Sequence, residues 1–531
     1  MPVSRVAIIV AVAAIFILIW GLPLLLSPLS TDETYFALGA RTMLAGDQLY
    51  EDFWDIKPPL IYALYALPIG VAGEHVEAIR AFHLLNVMLA TGAVSAATWR
   101  FFGQRAALFA TGFYAFSYFP LAGYDGLGEP ESLMAWPAVL AFALYRTRDD
   151  DANALPLAFV SGLLLGFAVA IKFPAFLLVF GLPIAELIMR TGVGWSLGGA
   201  IKRLMLAALA FLLVQAAWAG YLLSIEAWSA FVDIQRNYTL DYNQFRWSSG
   251  VWYPRAVLNE TSWWLVTALY LTVPAWAALF FAHAREQRPA VYFFAFIAML
   301  GVLSVWWQGK MFHYHWLIVV PFLAILAGYA CDSLLQLLRP LGKQALYSAS
   351  ALLLGAFLMA AWAPLMSIYD LNELLAKRLD GQLTQSQLEE RYNFNLTQNR
   401  ELVAHVRDTG APSDRLYVWG FWPAPYWLAD RELATRFVTN SGLRAAWAPQ
   451  AWRDELIDDL TRSPPRFIAV AAGDNMPWLT GTPWTSDQDF CVGFPELRGF
   501  VEGQYKPVLN NGLFTLYDRE AEEAQAAGRC G

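Results

Sequence analysis

Long apolar runs broken by short polar segments fill the first two thirds of this chain, and a mixed polar pattern follows. No charged residue stands between Val6 and Leu29. A helix that crosses a bilayer needs about 20 largely apolar residues, and by that rule about eleven spans are predicted, thirteen at most. They are Val6–Leu29, Val76–Trp99, Ala106–Leu121, Leu133–Tyr145, Leu155–Ile171 and Ala175–Met189, then Leu204–Leu223, Leu258–Phe281, Ala290–Trp307, Trp316–Leu338 and Ala345–Met366. Leu60–Ala72 is apolar but short and flanked by prolines, which predicts a re-entrant or juxtamembrane helix.

The pattern changes near Ser367. A polar helical connector is predicted to about Arg391, followed by a small soluble α/β domain. In that tail "RLYVWGF" (Arg415–Phe421) and "RFIAVAAGD" (Arg466–Asp474) read as buried strands stopped by Gly or Asp. "GQYKPVLNNGLFTLYDR" reads as a hairpin turning at Asn511-Gly512. The fold class predicted is therefore mainly α: a polytopic helical bundle over residues 1–366 with a soluble α/β domain over 367–531. No internal repeat is visible.

Composition agrees with a bilayer. The 531 residues are 57% hydrophobic and only 15% charged, against roughly a quarter charged in soluble domains. The formal net charge of −8 comes mostly from the tail. No basic run points to nucleic acid, so that partner class is set aside. The first apolar stretch is longer than a signal-peptide core and lacks a small-x-small cleavage site, so it reads as a retained anchor.

Lys and Arg concentrate at alternate span ends: Arg5, Arg100 with Arg105, Arg146 with Arg148, Arg190 with Lys202 and Arg203, Arg285 with Arg288, and Arg339 with Lys343. By the positive-inside rule these ends and the N-terminus are cytoplasmic, and an odd span count places the tail outside. Cys331 falls in a span and reads as small apolar packing. Cys491 and Cys530 lie in the external tail, where oxidising conditions permit a bridge, though whether they pair stays open at this stage.

The external ends are acidic, aromatic and varied. The first external loop, residues 31–60, opens on "STDETYFALGARTML". Ser30 and Glu33 can form a helix-capping box, so Glu33 has a structural as well as a functional reading. That helix is expected to run to Gly46 along the membrane interface, with Tyr35, Phe36, Leu38 and Met43 towards lipid. Asp32 emerges directly after a span, where an unpaired carboxylate is costly, which makes a functional role its default reading. Asp55 stands two residues before Lys57. A second acidic group, Asp125, Glu129 and Glu131, lies in "YDGLGEPES". Pro130 suits a first helical position, so Glu129 has an N-cap reading too.

Three lysines occupy external ends: Lys57 before Pro58-Pro59, Lys172 before Phe173-Pro174, and Lys310 after Gly309. A single such lysine is ordinary snorkelling. Three of them against the positive-inside bias call for an anionic partner, and a lipid phosphate fits. Arg236, Arg246 and Arg255, in the external loop over residues 226–255, can add to that site. His313, Tyr314 and His315 follow Lys310 without forming a metal motif. An Asp that accepts a hydroxyl proton is ordinary general-base work. A basic cluster that stabilises a departing phosphate is electrostatic catalysis.

These stretches resemble a known family. "TDETYFALGARTML…KPPL", "GEPESLMAW", "AIKFPAF", "FVDIQRN" and "GKMFHYHWLIVVP" are similar, in order, to motifs of the GT-C glycosyltransferases of the protein O-mannosyltransferase and lipid A aminoarabinose transferase group. "YVWGFWPAPYWLADR" resembles the periplasmic domain of bacterial members. The resemblance implies an inverting transferase of the bacterial inner membrane. It would move a sugar from a polyprenyl-phosphate donor to a lipid, glycan or protein hydroxyl on the external face. It further implies Asp32 as general base, Glu129 as second acid, and Lys57, Lys172, Lys310, Arg236 and Arg255 around the donor phosphate. Glu33, Asp55, Asp125, Glu131, His313 and Tyr314 would be accessory. No cofactor is established by the resemblance, and a divalent metal ion, if used, would fall to Asp32 and Glu129. Two departures stand out: Ile56 occupies the place of a family Glu before the Lys-Pro motif, and Glu129 replaces the usual Asp. The alternative function is a transporter or flippase of a lipid-linked saccharide. Such a protein needs ionisable groups near the bilayer midplane and often shows repeated halves.

Overall fold

The computed structural model describes residues 5–190, 194–244, 253–282, 287–391 and 395–530. Arg246 and Arg285 lie outside them. Each of the eleven apolar stretches is helical, as backbone in hydrocarbon must satisfy its own hydrogen bonds. Unbroken examples are Arg5–Leu24, Val76–Phe102, Gln104–Ala122, Ala154–Ile171, Leu197–Ser224, Arg288–Gln308 and Val320–Leu338. Others break. Phe173–Phe180 is a 3-10 turn leading into Gly181–Ile188, and Pro254–Thr267 meets Leu269–Phe281 at a 96° bend. Among the described residues five helices are long and apolar enough to cross a membrane, or up to seven if each bent pair is one span. Leu60–Ala72 forms a short helix, as its length predicts.

The chain divides into two compact units. The first comprises Met1–Ser27, His75–Trp218 and Pro254–Leu383, and it contains most of the apolar helices. Lipid offers no hydrophobic drive for helix association, so close backbone approach must supply the contact. Gly162 and Gly166, one turn apart on Ala154–Ile171, provide it. A Cβ on Gly162 would lie 2.1 Å from the Ala207 carbonyl oxygen, and one on Gly166 would lie 3.2 Å from that of Phe211. Gly162→Val is expected to push the two helices apart and cost about 1–3 kcal/mol. The reading is thermal unfolding of the detergent-solubilised chain. Gly220→Ala, on the same Leu197–Ser224 helix with nothing within 4 Å, should leave the midpoint unchanged or slightly raised.

The second unit comprises Pro28–Glu74, Ala219–Tyr253 and Thr384–Gly531. Its centre is a four-stranded sheet in the order β1-β2-β4-β3. Strands β1 (Leu416–Trp419) and β2 (Phe467–Ala471) are parallel, with Leu416 opposite Phe467. Both are buried at every position, as strands covered on two faces must be. The hairpin of β3 (Lys506–Asn510) and β4 (Phe514–Asp518) turns through Gly512, whose φ of 86° suits glycine. Cys491 and Cys530 are disulfide-bonded with Cα atoms 5.5 Å apart.

The segments Pro28–Glu74 and Ala219–Tyr253 are built into this unit rather than draped over it. The Trp54 ring meets Tyr238 at 4.9 Å and Trp452 at 5.6 Å. The Trp54 amide donates to the Arg436 carbonyl at 2.9 Å, and Arg436 donates back to the Tyr50 carbonyl at 2.9 Å. The Trp452 indole donates to Asp233 at 3.1 Å. One expectation fails here. In the helix Thr31–Ala45, Tyr35, Phe36 and Leu38 are buried in protein and not turned to lipid. Phe36 packs edge-on against Tyr65 and Tyr35 against Phe53. An apolar helix face looks the same in sequence whether lipid or side chains cover it.

Candidate active site

In the second unit the acidic loop is held from within. Ser30 caps Thr31–Ala45, accepting from the Glu33 amide at 3.2 Å, and Glu33 accepts from the Ser30 amide at 2.8 Å. This capping box accounts for Glu33 and leaves Asp32, half-buried in the same first turn, outside it.

Further along, three tyrosines fix the Trp54–Lys57 segment. Tyr35 donates to the Trp54 carbonyl, Tyr50 to the Lys57 carbonyl at 2.7 Å, and Tyr62 to the Asp55 carboxylate. Burial, and after it the Asp55 charge, holds the Tyr35 and Tyr50 phenols well above their ordinary range, so both stay donors. Asp55 also accepts from the Ile56 amide at 2.6 Å, and its Oδ2 lies 3.8 Å from Lys57 Nζ. The Lys57 ammonium sits over the Phe36 ring, 4.8 Å from its centre. Gln235 donates to the Ile56 carbonyl at 2.9 Å. Arg236 follows in a π-helical turn over Gln235–Thr239 and is exposed.

The first unit gathers a second set. Glu129 is the N-cap residue of the short helix Pro130–Leu133, yet its side chain makes no capping hydrogen bond, and it is buried. Glu131 is fully buried and shared. Lys172 Nζ lies 2.5 Å from its Oε1, and His315 Nε2 lies 3.8 Å from the same oxygen. Lys172 Nζ also stands 5.9 Å from the centre of the Tyr314 ring. His313 Nε2 reaches the Asp125 carboxylate at 3.2 Å and the Ala122 carbonyl at 3.0 Å.

Lys310 is 2% exposed in the bend after Arg288–Gln308. There both Gly309 and Met311 take positive φ, 71° and 52°, a strained arrangement for methionine. Burial lowers the Lys310 amine to about 7. Arg255 begins the helix Tyr253–Thr267 and is exposed.

The predicted residues thus fall into two groups. Asp32, Glu33, Asp55, Lys57 and Arg236 belong to one unit. Asp125, Glu129, Glu131, Lys172, Lys310, His313 and Tyr314, with Arg255, belong to the other. Among the described residues no three His, Cys, Asp or Glu side chains gather as a metal ion would need.

Sequence reasoning missed Arg80 and His83, buried one turn apart in Val76–Phe102. Arg80 Nε donates to the Ser27 carbonyl at 3.3 Å, and its Nη1 lies 3.5 Å from His83 Nδ1. Their signal was available: ionisable residues inside a predicted span are functional candidates by default.

The chain is a multi-pass membrane protein with a GT-C fold, a helical bundle carrying a C-terminal α/β domain. Residues 56–220 match the family model described as dolichyl-phosphate-mannose-protein mannosyltransferase. The structure is similar to ArnT from Cupriavidus metallidurans bound to undecaprenyl phosphate, at 14% identity and a TM-score of 0.61, covering 98% of this chain and 99% of that one. It is also similar to the archaeal oligosaccharyltransferase AglB from Archaeoglobus fulgidus in complex with an inhibitory peptide and a dolichol-phosphate. There the identity is 11% and the TM-score 0.50, over 98% of this chain and 74% of that one. No curated protein sequence matches the chain.

Proposed function

We propose that the protein is an inverting glycosyltransferase that moves a hexose or pentose from a polyprenyl-phosphate donor to a hydroxyl on a lipid, glycan or protein. The observation that carries this reading is the end-to-end fold similarity to a transferase structure holding undecaprenyl phosphate. Each unit holds carboxylates and cations of the kinds such a transfer uses. The acceptor oxygen attacks the anomeric carbon from the face opposite the phosphate, Asp32 takes the hydroxyl proton, and polyprenyl phosphate departs with the electron pair of the broken bond. Glu129 is the second acid. Lys57, Lys172, Lys310, Arg236 and Arg255 are the donor-phosphate cations, with Asp55 and Glu131 orienting the first two lysines.

The site faces the periplasm of a bacterial inner membrane in this reading, with a cytoplasmic N-terminus. A tail that carries a disulfide suits that oxidising side. The test is incubation of the purified full chain with radiolabelled polyprenyl-phosphate mannose and, separately, the aminoarabinose donor, with lipid, glycan and protein acceptors. Label transferred to one acceptor with release of polyprenyl phosphate supports the proposal. Movement of intact lipid-linked sugar across a proteoliposome, with no bond broken, would instead make the protein a flippase.

A further inference from the structure

The segment Gly123–Glu129 is folded tightly onto the turn His313–Ile318, and the contact demands glycine. A Cβ on Gly126 would lie 2.3 Å from the Ala122 carbonyl oxygen and 2.9 Å from Tyr314 Cβ. The product of this packing is an aspartate–histidine pair. Both of its contacts fall on one ring nitrogen, His313 Nε2, which meets Asp125 at 3.2 Å and the Ala122 carbonyl at 3.0 Å. A carbonyl oxygen only accepts, so Nε2 carries a hydrogen. Among the described residues Nδ1 has no partner, which leaves it for a ligand.

We propose that His313, held by Asp125, is the general acid that protonates the departing polyprenyl phosphate. This rests on the glycosyltransferase reading above. As the bond from the anomeric carbon to the phosphate oxygen breaks, its electron pair stays on that oxygen and the His313 Nδ1 proton passes to the phosphate. The acceptor's proton goes to Asp32, and water returns both groups to their starting states. The departing phosphate gains a second negative charge as the bond breaks, and with a second pKa of about 6 it can accept a proton from an imidazolium of similar acidity. Asp125 touches no substrate and acts as a positioning residue.

Charge around the imidazole favours the acid form. Burial works against protonation, but the Asp125 carboxylate and the Ala122 carbonyl outweigh it and raise His313 above its ordinary value. Pro130–Leu133, packed on the same turn, brings Glu131, which is paired with Lys172 and faces His315. Lys310 precedes the turn. The helices Gln104–Ala122, Arg288–Gln308 and Val320–Leu338 also pack on it, and they bring no carboxylate or cation to this end. The Arg105–Asp332 pair and Arg288 stand at their far ends.

A charged imidazole facing phosphate gives a pH-dependent affinity that a packing role would not. The test uses the detergent-solubilised full chain with undecaprenyl phosphate as probe, followed by tryptophan fluorescence from about pH 5.5 to about pH 9. Wild type is expected to bind about tenfold more tightly than His313→Gln below neutrality, the advantage vanishing as pH rises and the imidazole loses its proton. Asp125→Asn keeps the histidine but removes the charge that raises it, so the loss should move about one pH unit lower. That variant reads the same limb even if His313→Gln fails to fold. A wild-type advantage constant across pH, or an unmoved limb in Asp125→Asn, overturns the inference while leaving the donor reading intact. A wild type that binds no undecaprenyl phosphate at any pH removes the donor reading, and this one with it.

Discussion

Asp32→Asn is expected to lower sugar transfer by about 10²–10⁴-fold, the usual contribution of a positioned general base, while the chain folds and inserts normally. The separation of these effects comes from the first turn of Thr31–Ala45. There the Ser30–Glu33 capping box serves first-turn amides, and the substitution removes one negative charge near the helix start. Losing that charge costs about 0.3–1 kcal/mol, too little to unfold a protein of this size. Asparagine keeps the volume and polarity of the side chain and removes its ability to take a proton. Glu33→Gln provides the contrast, because glutamine also closes a capping box, and it should retain most activity. Labelled transfer per mole of folded chain, read beside the thermal midpoint, checks both. Substantial transfer by Asp32→Asn at wild-type stability would take the base role away from Asp32.

The second large effect belongs to Lys172. Its ammonium is the near partner of Glu131, a carboxylate with no solvent exposure. Lys172→Met should therefore act twice. The donor KM is expected to rise about 10–100-fold as a phosphate contact is lost, with the acceptor KM little changed. Stability should fall by about 3–5 kcal/mol because a buried charge is stranded. Adding Glu131→Gln removes that stranded charge, so the double variant should regain much of the stability without regaining donor use. A double variant that recovers donor KM as well would show Lys172 to be a structural ion-pair partner and nothing more.

What could be read from the sequence followed the range over which each physical rule acts. Apolar length marked the helices, and the Asn511-Gly512 pair marked the hairpin, because both depend on residues close in the chain. The Ser30–Glu33 box was legible for the same reason. The partners of the candidate residues were not. Lys172 meets Glu131 across 41 residues, and the Asp125–His313 contact spans still more of the chain. Nothing in either segment encodes the other except through the packing between them. Tyr35, Phe36 and Leu38 were assigned to lipid because hydrophobicity reports what a side chain avoids, not what covers it. Nothing near His315 in the sequence signals its burial against Glu131.

The second unit is assembled from three stretches distant in sequence, locked together through Trp54, Arg436, Asp233 and Trp452. Chimaeras that exchange only the C-terminal segment with a relative would therefore cut through a shared interior and strand half of an aromatic cluster. A transplant that carries residues 28–74 and 219–253 along with the tail keeps that interior whole. The portable module of this protein is discontinuous, and any exchange of it has to move all three pieces at once.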